Sequence, residues 1–485
     1  MSTLGLGRRN ALFIDGTEVA PARGEYFTSI DPSSGSGIAE AGRGTAEDID
    51  AAVESSHSAF RSDKWAKMPL ADRGRILHRI ADRLRENLDD LAMLECLDSG
   101  QPLSQARRDI QTAARYFEFY AGLADKIEGS QIPLGSSGFA YTSKEPFGVV
   151  GVIVPWNAPL NQAARSVAPA LAAGNTCVLK PAEETPLSAL RFAQIAAEAG
   201  LPDGVVNVVT GFGEEAGQRL VEHPLVRKVS FTGSVETGKI VARVAAERLI
   251  PSSLELGGKS PNLVFEDADM DAVVTSVVRT VTHKAGQVCS AATRILVAGE
   301  VAHELQEHIG AALGKITIGP GVEDPMLGPL VSENQLNRVL SLIQSGRDEG
   351  ADVAFGGSRA TGPKLDAGYF VQPTVFSNVG AHMTIAREEI FGPVVSMITF
   401  QSEDEALEIA NDTDYGLAAG VYTRDISRAL RVSRALEAGQ VFINGYQAGG
   451  VETPFGGYKQ SGWGREKGTE AINHYTQLKT TIVTI

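Results

Sequence analysis

The stretch "GVVGVIVPWNAPLNQAARSVAPALAAGNTCVLK", residues 148–180, sets the pattern for most of the chain. Its first seven residues are a short apolar, valine-rich run, which predicts a buried strand. A helix is expected from near Pro159 to just before Gly174, because proline suits a helix start and glycine its end. "TCVLK" (176–180) is the next strand. A strand, a helix and a strand in so short a span form a βαβ unit, which requires a parallel sheet. The rhythm continues downstream. Thr185 and Pro186 read as a cap followed by the first helical residue, and Gly200 and Pro202 close that helix. "VVNVV" (205–209) and "RKVSF" (227–231) are strands, and Gly233 opens a helix reaching about Arg248.

A second alternating block begins near residue 259. "PNLVF", "RILVA" and "PVVSMITF" read as strands, with helices over 267–285, 301–314, 332–349, 403–411 and 425–437. Two α/β lobes with parallel sheets follow from this alternation. Toward the N-terminus, residues 11–30 read as one small β meander. Thr45 with Asp48 marks a helix start. Residues 70–95 form one long amphipathic helix with Ile76, Ile80, Leu84, Leu88 and Leu91 in a stripe. Residues 126–147 fit neither lobe and read as an extended excursion. "QLKTTIVTI" (477–485) is a β-prone tail.

Composition narrows the function classes. The 485 residues are 43% apolar and 21% charged, the mix of a globular protein of two or three domains. Lys plus Arg is 44 against 59 Asp plus Glu, a net charge of −15. That argues against nucleic acid or an anionic membrane as the main partner. Cys96, Cys177 and Cys289 are too scattered for a disulfide framework or a cysteine-rich metal site, so no metal is expected and a reducing compartment, the cytoplasm, is. The opening "MSTLGLGRRNALFIDG" has no apolar core of a signal peptide, and no run is long enough to predict a membrane span.

Open parallel sheets bind ligands at the carboxyl ends of their strands. "PWNAPL" (155–160), "KPAEETP" (180–186), "TGFGEEAG" (210–217) and "FTGSVETG" (231–238) all fall there. "GFGEEAG" does not have the spacing of the dinucleotide fingerprint and carries little alone. Gly233 and Ser234 stand where free backbone N–H groups of a helix start meet a phosphate. Lys180 and Glu183 are placed to hold ribose hydroxyls, or are solvated turn charges. Cys289, in "KAGQVCSA" (284–291), has small and polar neighbours that leave its sulfur approachable. It is a nucleophile or an inert thiol; a free thiol near pKa 8.5 needs help to ionise. Cys96 and Cys177 sit in core patterns. Glu255, in "LELGGKSPN" (254–262), is a general base with a raised pKa or a structural carboxylate at a strand end. Glu389 precedes a turn in "REEIFGPV" (387–394).

Together these stretches resemble the aldehyde dehydrogenase superfamily over nearly the whole chain. The resemblance is carried by PWN at 155–157, KPAEETP at 180–186, FTGS at 231–234, LELGGKSPN at 254–262, GQVC at 286–289, EEIFGPV at 388–394 and PFGGYKQSGWGRE at 454–466. It implies that Cys289 attacks an aldehyde, that Asn157 and the Cys289 N–H hold the oxyanion, and that Glu255 activates the hydrolytic water. It implies NAD contacts at Pro155, Trp156, Lys180, Glu183, Gly213, Gly217, Phe231, Gly233, Ser234, Leu256, Gly257, Glu389 and Phe391. A carboxylate at 183 repels a 2′-phosphate, so NAD is expected over NADP.

The resemblance also implies an NAD-binding domain over 1–125 and 148–256 and a catalytic domain over 257–458. Residues 126–147 and 459–485 would form an oligomerisation arm and tail, making a homodimer or homotetramer. The face Ala158, Asn161, Gln162 and Arg165, with His283, Gln447 and Phe455, would meet the substrate and favour a polar, anionic or aromatic aldehyde. Alternatives are a CoA-acylating relative and, further off, a cysteine hydrolase using Cys289 with His283.

Overall fold

A computed structural model describes residues 6–485. The first five residues, part of the N-terminal stretch read for a leader, lie outside the described residues. Val149–Ile153, Thr176–Lys180, Val206–Val208, Val226–Thr232 and Ser252–Glu255 are all parallel strands of one sheet. Across the sheet they run fifth, fourth, first, second, third in chain order. The order reverses between Val149–Ile153 and Val226–Thr232, which makes a switch point there.

Both faces of this sheet are covered. Val150, Val152, Cys177 and Leu179 pack with the helices Leu70–Glu86, Leu103–Ala121 and Pro159–Ala172. Val149, Val178 and Val229 point the other way, to Ile49, Val53 and Val241. The alternation is the two-residue period of a strand, with both faces apolar because both are buried.

The second sheet runs Asp352–Phe355, Thr374–Ser377, Val394–Phe400, Arg294–Ala298, Pro261–Val264, Ala418–Tyr422, Gln440–Ile443. It is parallel except at Asp352–Phe355. The excursion and the tail meet in a separate antiparallel sheet, where Gly138–Pro146 pairs with Thr476–Thr484 along their full length and Gln131–Pro133 adds an edge. The architecture is therefore two α/β lobes with parallel sheets plus a β arm.

Four local expectations need correction. Residues 11–30 are not one meander: Leu12–Ile14 and Thr17–Val19 extend the first sheet, while Tyr26–Asp31 pairs with Ser36–Gly42 elsewhere. The stripe over 70–95 spans two helices, Leu70–Glu86 and Leu88–Ser99, because Asn87 leaves helical geometry at φ −99° and ψ 18°. Thr185 does not cap the next helix. That helix is Leu187–Glu198, and its Leu187 N–H donates to Asp98 Oδ2 at 3.0 Å, a tertiary cap. The tail is also not purely arm, since Gly462–Trp463 pairs with Ser252–Glu255 at the edge of the first sheet. Elsewhere the expected starts hold. Thr45 and Asp48 form a capping box, and Ser234 accepts from the Thr237 N–H at the start of Val235–Glu247.

Candidate active site

A cleft of about 840 Å³ opens at the switch point. Pro155, Trp156 and Asn157 enter it from the carboxyl end of Val149–Ile153, and Thr232, Gly233 and Ser234 from the end of Val226–Thr232. Glu255 ends the strand Ser252–Glu255, and Leu256 and Gly257 follow it into the cleft. The opposite wall comes from the second lobe, with Cys289, Glu389 and Phe391. Residues far apart in the chain thus share one cavity, because both sheets aim their strand ends at it.

The loop carrying Cys289 is built against the usual backbone preference. Lys284, Ala285 and Gly286 lie in succession at φ 51°, 53° and 72°. Left-handed geometry costs about 1–2 kcal/mol for a residue with a Cβ. Such strain persists where surroundings over-determine it. Gly286 has no alternative: a Cβ there would stand 2.1 Å from the Gly392 carbonyl oxygen. Gly258 permits the loop to close on the Glu255 strand end, since a Cβ at 258 would lie 2.5 Å from the Cys289 carbonyl oxygen.

Asn157 Nδ2 donates to the Gln287 carbonyl at 2.8 Å, which ties it to the same loop. The Cys289 backbone N–H has no acceptor among the described residues. One amide proton of Asn157 and this N–H are therefore left without a protein acceptor among the described residues. Burial pushes the Cys289 thiol up to about 11, with Arg165 pulling it down and Glu389 and Glu255 pushing it up. The sulfur rests protonated at neutral pH and needs a base.

Glu255 is a carboxylate in the lining of the same cleft. Neither of its carboxylate oxygens has a hydrogen-bond partner among the described residues. Burial first, then the Glu466 carboxylate, raise it well above its ordinary value, while Arg165 and Arg465 act against the rise. A carboxylate so placed binds a proton more tightly than in water. Burial raises Glu389 to about 7, against a hydrogen bond in which the Gly258 N–H donates to its Oε1 at 3.0 Å.

Pro155, Trp156, Gly233, Ser234, Leu256, Gly257, Glu389 and Phe391 line the cleft. Trp156 and Phe391 meet edge to face with centroids 5.2 Å apart. Phe231 does not line it; the ring lies beneath Gly233. Lys180, Glu183, Gly213 and Gly217 sit apart, at the neighbouring strand end. There Lys180 Nζ donates to Glu183 Oε2 at 3.0 Å and Gly217 faces the Lys180 stem.

The residues expected to meet substrate scatter more. Gln162 lines the cleft. Arg165 is buried in an ion pair with Glu466, donates to Thr232 Oγ1 at 3.3 Å and lies 5.1 Å from the Phe455 ring centroid. Its charge is matched inside the protein. Asn161 donates to Asp109 Oδ1 at 3.1 Å. Burial lowers His283 to about 3, so it is a poor base, and its Nδ1 lies 3.1 Å from Gln105 Oε1. Asn161, Arg165, His283, Gln447 and Phe455 are outside the cleft lining.

Sequence reading passed over Glu236, Lys239, Ile240 and Arg243, which line the cleft from the helix behind Ser234. Their spacing of three and four is a helical face and was available as a signal. Gln335 and Arg338 were also missed. They donate to the carbonyls of Phe391 at 2.7 Å and Glu389 at 3.0 Å, and nothing local in the sequence marks them.

Comparison with known proteins adds four findings. The model of the aldehyde dehydrogenase family matches residues 19–481. DhaS of Bacillus subtilis (strain 168), named as an aldehyde dehydrogenase, is 43% identical over 476 residues, 98% of this chain and 95% of the relative. An aldehyde dehydrogenase from Bacillus cereus, solved in complex with NAD+, superposes with a TM-score of 0.97 at 44% identity, over 99% of this chain and 98% of that one. Betaine aldehyde dehydrogenase of Staphylococcus aureus, solved as a point mutant with NAD+ and a BME-modified cysteine, gives 0.96 at 39% identity, over 98% and 97%.

Proposed function

From a chain that belongs to the aldehyde dehydrogenase family, we propose NAD-dependent oxidation of an aldehyde to the carboxylic acid through an adduct on Cys289. The observation that carries this reading is the presence of Cys289, Glu255 and Asn157 in the lining of one cleft. The residues fit the dinucleotide. Ser234 and Gly233 open a helix into the cleft, Trp156 and Phe391 offer ring faces and edges, and Lys180 with Glu183 stands ready for ribose hydroxyls.

Glu255 takes the thiol proton of Cys289, whose burial otherwise keeps it protonated. The sulfur attacks the carbonyl carbon, and the carbonyl π pair moves to oxygen. Asn157 Nδ2 and the Cys289 N–H hold that oxyanion, each worth about 10²–10³ in rate. When the oxyanion collapses, the substrate C–H bond breaks and a thioester remains on Cys289. NAD+, when bound, supplies the hydride acceptor. Glu255 releases its first proton to solvent, the proton the net oxidation sets free, and then takes one from water as the water attacks the thioester. The C–S bond then breaks and returns the thiolate.

The CoA-acylating alternative leaves Glu255 without its second task, activating water, and turnover without CoA separates the two. The His283 hydrolase has a poor base placed outside the cleft. Glu183 supports NAD over NADP by repelling a 2′-phosphate, tested by the ratio of kcat/KM. For substrate, Gln162 supports a polar aldehyde, whereas the paired Arg165 gives no support to an anionic one. NADH formation across short, polar, aromatic and long-chain aldehydes tests this. A tenfold or greater preference for long alkanals contradicts it. Residues 1–125 and 148–256 are assigned to cofactor binding, 257–458 to catalysis, and the arm to self-assembly in the cytoplasm. Among the described residues no helix is long and apolar enough to cross a membrane.

A further inference from the structure

Two hydrogen bonds of opposite sense lock the Asn157 turn to the thiol loop. Asn157 Nδ2 donates to the Gln287 carbonyl at 2.8 Å, and Lys284 Nζ donates to the Asn157 carbonyl at 2.9 Å. Lys284 is buried and also ion-paired with Asp109, whose other oxygen accepts from Asn161 Nδ2. Its own backbone is in the left-handed region at φ 51°. There its N–H donates to Gln105 Oε1 at 2.7 Å, and its carbonyl accepts from the Gln287 N–H at 3.1 Å and Gln287 Nε2 at 2.9 Å. Gln105 and Asp109 are four apart on the Leu103–Ala121 helix, so one helical face grips Lys284 at both backbone and side chain.

Lys284 is absent from the lining of the reaction cleft. It borders instead a void of about 10 Å³ behind Asn157, too small for a substrate. A buried ion pair is weak evidence for stability, since apolar residues of the same shape often serve as well. The consequence that depends on this cation is where the Asn157 peptide sits.

We propose that Lys284, held by Asp109, is a positioning residue that sets the Asn157 amide for the oxyanion. This rests on the reading of Cys289 as nucleophile and Asn157 as oxyanion donor. The test pairs Lys284→Met with Asp109→Asn, so that neither charge is left buried alone. Two rates are measured with enzyme in excess: NADH formation in a single turnover of aldehyde, and alkylation of Cys289 by iodoacetamide. Alkylation displaces iodide at a saturated carbon and builds no oxyanion. NADH formation is expected to fall about tenfold or more, with alkylation within about twofold of wild type. In an Asn157→Ala background the same pair is expected to cost less than about threefold further, because its effect passes through Asn157.

Should the pair variant not fold, Lys284→Arg keeps a cation beside Asp109 while moving the donors off the Asn157 carbonyl. It is expected to slow NADH formation by about threefold or more with unchanged alkylation. Equal losses in both rates, a fully additive effect in the Asn157→Ala background, or no loss overturns the assignment of Lys284. An Asn157→Ala enzyme that retains wild-type single-turnover rates overturns the underlying reading, and this assignment with it.

Discussion

At Glu255 both carboxylate oxygens are buried without partners, and burial with the Glu466 charge raises its pKa well above the ordinary value. Two outcomes follow. As a base it works only when ionised, so kcat is expected to rise with pH along a limb displaced upward from the ordinary carboxylate value of 4.5. A pH profile of kcat with that limb at or below 4.5 contradicts the assignment. The same shift bears on stability. A carboxyl whose folded pKa is raised favours the fold fully below its unfolded pKa, and that contribution is lost as pH climbs through the folded value, by about 1.4 kcal/mol per pKa unit. Glu255→Gln is therefore expected to melt above wild type at pH 8, with the gain shrinking toward pH 4.5, while turnover collapses. Identical melting curves at both pH values speak against an uncompensated charge. Cys289 and Glu255 were legible as candidates because a lone thiol beside small residues, and a carboxylate between leucines, are unusual settings. Arg165 was not legible. Its partner Glu466 lies 301 residues away in the chain, and only the fold brings a carboxylate to it.

The elements that carry the site divide by how local their causes are. Helix starts with caps in the sequence, at Thr45 and Ser234, form as read. Thr185 fails because Asp98, on another helix, supplies the acceptor at Leu187 instead. The left-handed run at Lys284 and Ala285 was invisible, since neither residue type favours that region. Gly286→Ala tests the run where it is least forgiving, because a Cβ would meet the Gly392 carbonyl and a positive φ would be required of alanine. A loss of activity of about 10²-fold or more is expected, with NAD affinity retained, by steady-state kinetics and dinucleotide titration. The Pro159–Ala172 helix begins two residues after Asn157 and packs Leu171 fully buried in the core. Leu171→Ala is expected to cost about 2–5 kcal/mol, seen as a lower thermal midpoint. A change near zero contradicts the packing.

Across the whole molecule, strand alternation made two parallel α/β lobes legible, but not the strand order that puts the switch point at Trp156 and Gly233. Order depends on which helix covers which face, a tertiary choice with no single local signal. The arm was legible as extended chain. Its Leu478 and Ile482, on one face of the Thr476–Thr484 strand, are 65% and 69% exposed. Apolar residues on an unpaired edge invite a second copy. Light scattering on eluted protein is expected to give a dimer or tetramer, reduced in mass by Leu478→Asp with Ile482→Asp; a wild-type monomer contradicts the assembly. The two lobes matter because each brings part of the chemistry to one cleft. The most direct test incubates Glu255→Gln with NAD+ and an accepted aldehyde, then quenches and weighs the peptides. About one NADH per active site is expected, formed more slowly than by wild type because the thiol has lost its base, with the acyl mass on the peptide holding Cys289 and little further turnover. Sustained turnover with Cys289 unmodified, or the acyl group on another residue, would contradict the convergence of Cys289, Glu255 and Asn157 on one reacting carbon.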